Sequence, residues 1–378
     1  MKYFDYCATT PVDRRVAELM SDVNEHVFGN PSSVHRYGQK ARSYVERSRR
    51  QIAAAIGCKP SEIIFTGSGS EANNLVLRNL LYGEKKHVVL SAIEHPSIYS
   101  TIRELEPLGM TCTIVDVDKT GRVSPPDIAA AILDNTALVT VMMANNEVGT
   151  LQPIAEIACL CQEHNIPFHS DGVQALGKIP IQVQSLGITT MSFSAHKLYG
   201  PKGVGALYAT EGYQLHPLIS GGSQENSRRA GTENVLGITG FGLAVELAGG
   251  DLNSEMERLH GLRKGFLSSI SETCPEVVVN GHPTETLPGV VSLSFPDVSA
   301  EKLIMKLDRD GFAVSAGAAC ASGSPQPSRV LQALGLSDEL NQRTIRISFG
   351  RLTTLEEVTA LAGAISRHVS PTLKEVAV

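Results

Sequence analysis

Between about residues 60 and 210, short β-forming apolar runs alternate with segments of helical periodicity, and this alternation restricts the fold more than any other feature. EIIF (62–65) precedes SEANNLVLRNLL, HVVLSAI (87–93) precedes a helical pattern over 97–107, and CTIVDV (112–117) precedes one near 125–133. ALVTVMM (137–143) is followed by the amphipathic IAEIACLCQEH (154–164), and PFHS (167–170), TTMSFS (189–194) and GALYA (205–209) complete the set. Strands separated by helices predict an α/β fold with a mainly parallel sheet covered on both faces, because parallel neighbours need a crossover between them. The pattern changes after about residue 210. A Gly/Ser/Arg-rich stretch (220–234) leads into a helical run from near Val235 to about Ser271, broken at Gly249-Gly250. VVSLSF (290–295), AEKLIMKLDRDG (300–311), a Gly/Ala/Ser loop (315–324), TIRISFG (344–350) and a last helix near Thr354 then predict a smaller α+β unit.

In open α/β sheets, ligands bind beyond the carboxyl ends of the strands. Here those ends are polar. Thr66-Gly67-Ser68-Gly69-Ser70 follows the first run, Glu94-His95 the second, and Asn145-Asn146-Glu147 the fourth. Asp171 and Gln174 follow PFHS, and His196-Lys197 follows TTMSFS. Each position has a plainer reading on its own. Ser68 or Ser70 is a natural helix N-cap, Asp171 a loop acid, Lys197 a solvated lysine, and the histidines are structural. The glycine loop also suits a phosphate cradle at a helix N-terminus, and Gly67-x-Gly69-x-x-Ala72 fits a loose dinucleotide fingerprint. A nicotinamide- or flavin-linked activity therefore stays open at this point. Five strand ends carrying groups suited to one site favour a shared pocket.

Composition narrows the partners. A formal net charge of -6 over 378 residues argues against a chain-wide nucleic-acid surface. MKYFDYCATTPVDRR has no apolar signal region, and no run is long and apolar enough to span a membrane. The seven cysteines are scattered without a C-x-x-C pair, which fits neither a disulfide framework nor a zinc site and suggests a reducing, cytoplasmic setting. Most are expected to be small buried hydrophobes. Cys320, in VSAGAACASGSPQPS, is the exception, because no long apolar side chain flanks it closely.

HSDGVQ followed by SFSAHKLYGPKGVGALY resembles the lysine region of the class V aminotransferases, which use pyridoxal 5'-phosphate (PLP). DYCATTPVD (5–13), FGNPSSVHRYGQKAR (28–42), FTGSGSEANNL (65–75), EHPS (94–97) and NNEVGTLQP (145–153) extend the likeness toward cysteine desulfurases of the NifS/IscS-like branch. RRAGTE (228–233), SAGAACASGSPQPSRVL (315–331) and TIRISFGR (344–351) carry it to the end of the chain. The resemblance implies fold type I, the aspartate-aminotransferase-like PLP-dependent transferase fold with a seven-stranded sheet. It implies a large PLP-binding domain over 15–250, and a small domain of 1–14 and 251–378 carrying the cysteine loop and a substrate-carboxylate arginine.

By the same resemblance, Lys197 would hold PLP as a Schiff base and move protons at the substrate Cα. Asp171 would keep the ring nitrogen protonated, His95 would stack on the ring, and Gln174 would bond the phenolic oxygen. Gly69, Ser70, Ser194 and His196 would hold the phosphate, with Thr232 reaching the phosphate of the neighbouring subunit in a homodimer. Asn146 would assist beside substrate and cofactor. Arg346 would clamp the substrate carboxylate, and the alternation Ile345-Arg346-Ile347 independently sets it opposite the isoleucines. Cys320 would take sulfur from L-cysteine as a persulfide, leaving L-alanine, with His95 the candidate to deprotonate it. The sulfur would pass to a protein acceptor, an iron–sulfur scaffold or a thiolation relay. No intrinsic metal is expected, beyond a transient iron–sulfur contact at Cys320. The chain ends at SPTLKEVAV, so a longer C-terminal scaffold-binding extension is not expected. The alternative within the family is another class V enzyme, an aminotransferase or selenocysteine lyase. The extended loop around Cys320 favours desulfuration.

Overall fold

The structure is a computed structural model that describes residues 1–316 and 327–369. Its centre is a seven-stranded sheet. In spatial order the strands are Ile63–Thr66, Gly205–Ala209, Thr190–Ser194, Phe168–Asp171, Thr136–Thr140, His87–Ser91 and Thr111–Val115. Only Gly205–Ala209 runs against both of its neighbours. The other six therefore deliver their carboxyl ends to one edge. Five of the seven strands are buried along their whole length, as expected when helices cover both faces. Thr111–Val115 lies at the rim with one neighbour, and its polar Thr111 is exposed. Two apolar clusters fill the faces, one built around Ile52, Phe168, Phe193 and Phe241, the other around Leu75, Leu90, Leu105 and Leu207.

The expected helical run after Val235 is two helices, Val235–Gly250 and Leu252–Thr273, bent by 73°. The break falls at Asp251, directly after the Gly249-Gly250 pair, whose bare backbone weakens the end of the first helix. Beyond it lies an antiparallel sheet in the order Ser315–Ala316, Thr344–Ser348, Val290–Ser294 and Val278–Asn280. It packs on Leu252–Thr273, Ala300–Arg309 and Leu355–Val369 around a separate core that includes Phe266, Leu303, Ile345 and Ile365. Phe4 belongs to this core and meets Phe349 edge to face at 6.0 Å. Burying such a ring contributes about 2–3 kcal/mol. The N-terminus is thereby tied to the small unit, where Lys2–Tyr3 also pairs with Phe312–Ala313. Val330, Leu331 and Leu334 depart from the simple division, because they pack on Ile93, Met142 and Val148 of the large sheet's loops. Among the described residues, no single helix is long and apolar enough to cross a membrane.

Candidate active site

The carboxyl edge of the large sheet opens into a cavity of about 310 Å³. Gly69, Ser70, His95, Asn146, Asp171, Gln174, Ser194, His196 and Lys197 line it from successive strand ends, and Arg346 closes it from the small sheet. Two expected site residues are not on that wall. Thr232 is exposed and lies off the cavity. Cys320 lies outside the described residues.

The 3-10 turn Ala195–Lys197 at the end of Thr190–Ser194 carries Lys197 into the cavity. Its Nζ donates to the carbonyls of Cys7 and Ala8 at 2.7 and 2.6 Å. Burial first, then the nearby Lys178 and Arg346, lowers its pKa from 10.5 to about 8. A substantial neutral fraction near physiological pH is what an amine nucleophile or base requires. Lys178 is half-buried and donates to Gln174 Oε1 at 2.7 Å, while Gln174 Nε2 donates to the Cys7 carbonyl at 2.9 Å. Burial and the neighbouring lysines push His196 down to about 4.

Asp171 is buried at the end of its strand. Its Oδ1 accepts from the Val173 backbone N–H at 2.9 Å, and its Oδ2 from Asn73 Nδ2 at 2.8 Å. Asn73 stands on the helix Gly69–Asn79 and also donates to Ser97 Oγ at 2.9 Å. Its Oδ1 meets His169 Nε2 at 3.0 Å. His95 is the N-cap of Pro96–Leu105, and its Nδ1 lies 3.1 Å from Ser97 N and 2.8 Å from Ser97 Oγ. Burial lowers the pKa of His95, with Asp171 opposing and Lys197 reinforcing that shift.

Ser68, rather than Ser70, caps Gly69–Asn79 by accepting from Glu71 N at 3.1 Å, and Glu71 Oε2 returns to Gly67 N at 2.7 Å. This reciprocal arrangement leaves the N–H groups of Gly69 and Ser70, in the first turn, without intrahelical acceptors. Gly69 must stay bare, because a Cβ there would stand 2.6 Å from Val173 Cγ2. Arg346 is 1% exposed. Its Nη2 donates to Asp5 Oδ1 at 2.7 Å and its Nη1 to the Asn146 carbonyl at 3.0 Å, while Nε has no partner among the described residues.

Sequence reasoning missed four contributors: Asn73, Asp5, Lys178 and the Cys7–Ala8 carbonyls. Asn73 and Asp5 stand in quoted motifs, but nothing in the local pattern shows which side chain they meet. A backbone carbonyl leaves no compositional trace at all. The expectation that most cysteines are buried is met by Cys7, Cys161 and Cys274, whereas Cys58 and Cys112 are half-buried and Cys159 is exposed.

The model of the aminotransferase class-V family matches residues 2–361. The chain is 43% identical over 370 residues to the cysteine desulfurase IscS of Dictyoglomus turgidum, covering 97% of this chain and 94% of that one. It is 41% identical to the cysteine desulfurase of Mus musculus, covering 97% of this chain and 81% of that one. Among solved structures, a NifS-like protein superposes with a TM-score of 0.91 at 34% identity, covering 97% of this chain and 98% of its own. SspA in complex with cysteine superposes with a TM-score of 0.82 at 36% identity, covering 92% of this chain and 99% of its own.

Proposed function

We propose, for a chain that belongs to the aminotransferase class-V family and within it is a NifS/IscS-like cysteine desulfurase, that Lys197 carries the cofactor and Cys320 receives the sulfur. The observation that carries this reading is one cavity in which an amine of lowered proton affinity and a buried carboxylate stand together, as Lys197 and Asp171 do.

PLP is general to this family, and the donor set suits it. Lys197 offers an amine, and Asp171 an acceptor deep in the wall. The Gly69 and Ser70 N–H groups offer the positive end of a helix for a phosphate, with Ser194 and His196 beside them. When bound, PLP supplies an electron sink that acidifies the substrate Cα–H and lets the Cβ substituent leave.

The protein's own groups then divide the work. Asp171, with both oxygens already bonded, is fixed in position to hold a proton on a ring nitrogen. His95, on the cavity wall, would cover the ring face, and Gln174, which shares the Cys7 carbonyl with Lys197, would bond the phenolic oxygen. Lys197 Nζ takes and returns the proton at Cα. Arg346 receives the carboxylate of L-cysteine; the guanidinium fork suits a planar anion. SspA forms a complex with cysteine, which supports the substrate. Asn146 stands beside this arginine, its carbonyl bonded to Nη1. The Cys320 sulfur attacks the substrate sulfur, an S–S bond forms as the Cβ–S bond breaks, and the three-carbon remainder leaves as L-alanine. A persulfide remains on Cys320 for a protein acceptor, an iron–sulfur scaffold or a thiolation relay, in the cytoplasm. Thr232, exposed and off its own chain's cavity, is available to a second subunit, which supports a homodimer.

Anaerobic incubation with L-cysteine tests the reading by quantifying alanine and locating the persulfide by mass spectrometry. Cys320→Ser is expected to change the cofactor spectrum on adding cysteine while making no alanine. Normal alanine production by that variant would remove Cys320 from the reaction.

A further inference from the structure

The hydrogen-bond directions around Asp171 can be followed outward, one proton at a time. An ionised carboxylate only accepts, so the group 2.8 Å from Asp171 Oδ2 must be the Asn73 amide nitrogen. That nitrogen spends its second hydrogen on Ser97 Oγ at 2.9 Å. Asn73 then turns its oxygen to His169 Nε2, which must donate. Burial pushes His169 down to about 4, so its ring is neutral and its bare Nδ1 accepts from Thr190 Oγ1 at 2.9 Å. Ser97 Oγ, already accepting from Asn73, has its own hydrogen left for His95 Nδ1 at 2.8 Å.

A second donor reaches the same atom independently. The Ser97 backbone N–H lies 3.1 Å from His95 Nδ1, and a backbone N–H can only donate. Two donors therefore converge on Nδ1, which has no hydrogen of its own. Asp171 and Lys197 are the charged groups acting on the ring, and they oppose each other. Nε2 makes no hydrogen bond to the described residues, and the ring lines the cavity.

We propose that Ser97 is a positioning residue that locks His95 as its neutral Nε2–H tautomer, so that His95 meets the reactants as a hydrogen-bond donor and not as the base for the Cys320 thiol. A ring nitrogen that already bears hydrogen has no lone pair for another proton. Protonation at Nδ1 would set N–H against the N–H of Ser97. His95 thus steadies a forming thiolate or another anion through Nε2–H, and the thiol proton goes to a different acceptor. The tautomer follows from contacts within the protein; the consequence for the thiol rests on the desulfurase reading.

The test is ring-15N spectroscopy of the histidine-labelled holoenzyme from about pH 5 to 8, the span in which an ordinary histidine titrates. His95 is assigned by its loss in His95→Gln. One neutral Nε2–H pattern across that span is expected. An Nδ1–H pattern, an averaged pair or a titration step within the span overturns the proposal. Ser97→Ala keeps the backbone donor and should keep the pattern. Ser97→Pro removes both donors and should mix the tautomers; an unchanged pattern there overturns the role of Ser97. Consecutive prolines already open the helix Pro125–Ala131, and if the proline variant fails to fold, the wild-type and Ser97→Ala spectra decide. In a pH–rate profile, His95→Gln retains a donor. Alanine production should fall while the acidic limb stays in place; loss of that limb assigns the base to His95 and overturns the inference. If no alanine forms from cysteine at all, the desulfurase reading fails, and the ring spectra still decide the tautomer.

Discussion

Replacing Lys197 by methionine in the cofactor-free protein should change how stability depends on pH. In the folded chain this amine holds its proton less tightly than usual, its pKa falling from 10.5 to about 8. At about 1.4 kcal/mol per pH unit, this weakened hold costs about 3 kcal/mol wherever both folded and unfolded forms are protonated. Between the two pKa values the unfolded chain binds more protons, so stability rises with pH there and levels off above the unfolded value. Methionine removes the cost, but it leaves the Cys7 and Ala8 carbonyls without their donor, at about 1 kcal/mol each. The variant should therefore be about 1 kcal/mol more stable than wild type at neutral pH. Near pH 10 the wild type should be the more stable by about 1–2 kcal/mol. Urea unfolding of both proteins, stripped of cofactor, at a series of pH values measures the crossing. Parallel curves would refute the depressed affinity and with it the account of how this amine is activated.

Three further outcomes are expected. Arg346→Lys keeps the charge and loses the fork, so the KM for L-cysteine should rise about tenfold or more with cofactor content unchanged, as steady-state kinetics and absorbance will show. Glu225→Gln removes the buried anion that faces Arg49 through two bonds of 2.7 Å, one to each carboxylate oxygen; with only the half-buried Glu46 left on Nε at 3.2 Å, the loss should cost about 3 kcal/mol in urea unfolding. Gly205→Ala would place a Cβ 2.5 Å from the Ser68 carbonyl carbon, and the displaced loop should lose PLP at least tenfold faster on dialysis; unchanged retention would argue against that loop as the phosphate cradle.

The strand ends were legible in the sequence because strand–helix alternation announces itself locally and topology then fixes where every strand end lies. Arg346 was half legible. The alternation with Ile345 and Ile347 set its face, but only the fold shows that this face is buried against Asp5 instead of open to water. Asn73 reads as an ordinary helical polar residue, since its partners lie 24, 96 and 98 positions away. The dinucleotide-like Gly67/Gly69 pattern could not be resolved by spacing alone. A glycine turn opening a helix serves any phosphate, and the lysine and carboxylate facing it make the distinction.

The first eight residues act as a strap. They cross from the Phe312–Ala313 strand, give Asp5 to Arg346, and end with two carbonyls on Lys197. Protein engineers thus face an asymmetric terminus. Met1 is 84% exposed and offers an open attachment point for a purification tag. Trimming past Ala8 would instead unseat a guanidinium and an amine together, from a distance in sequence at which a designer would expect only harmless overhang.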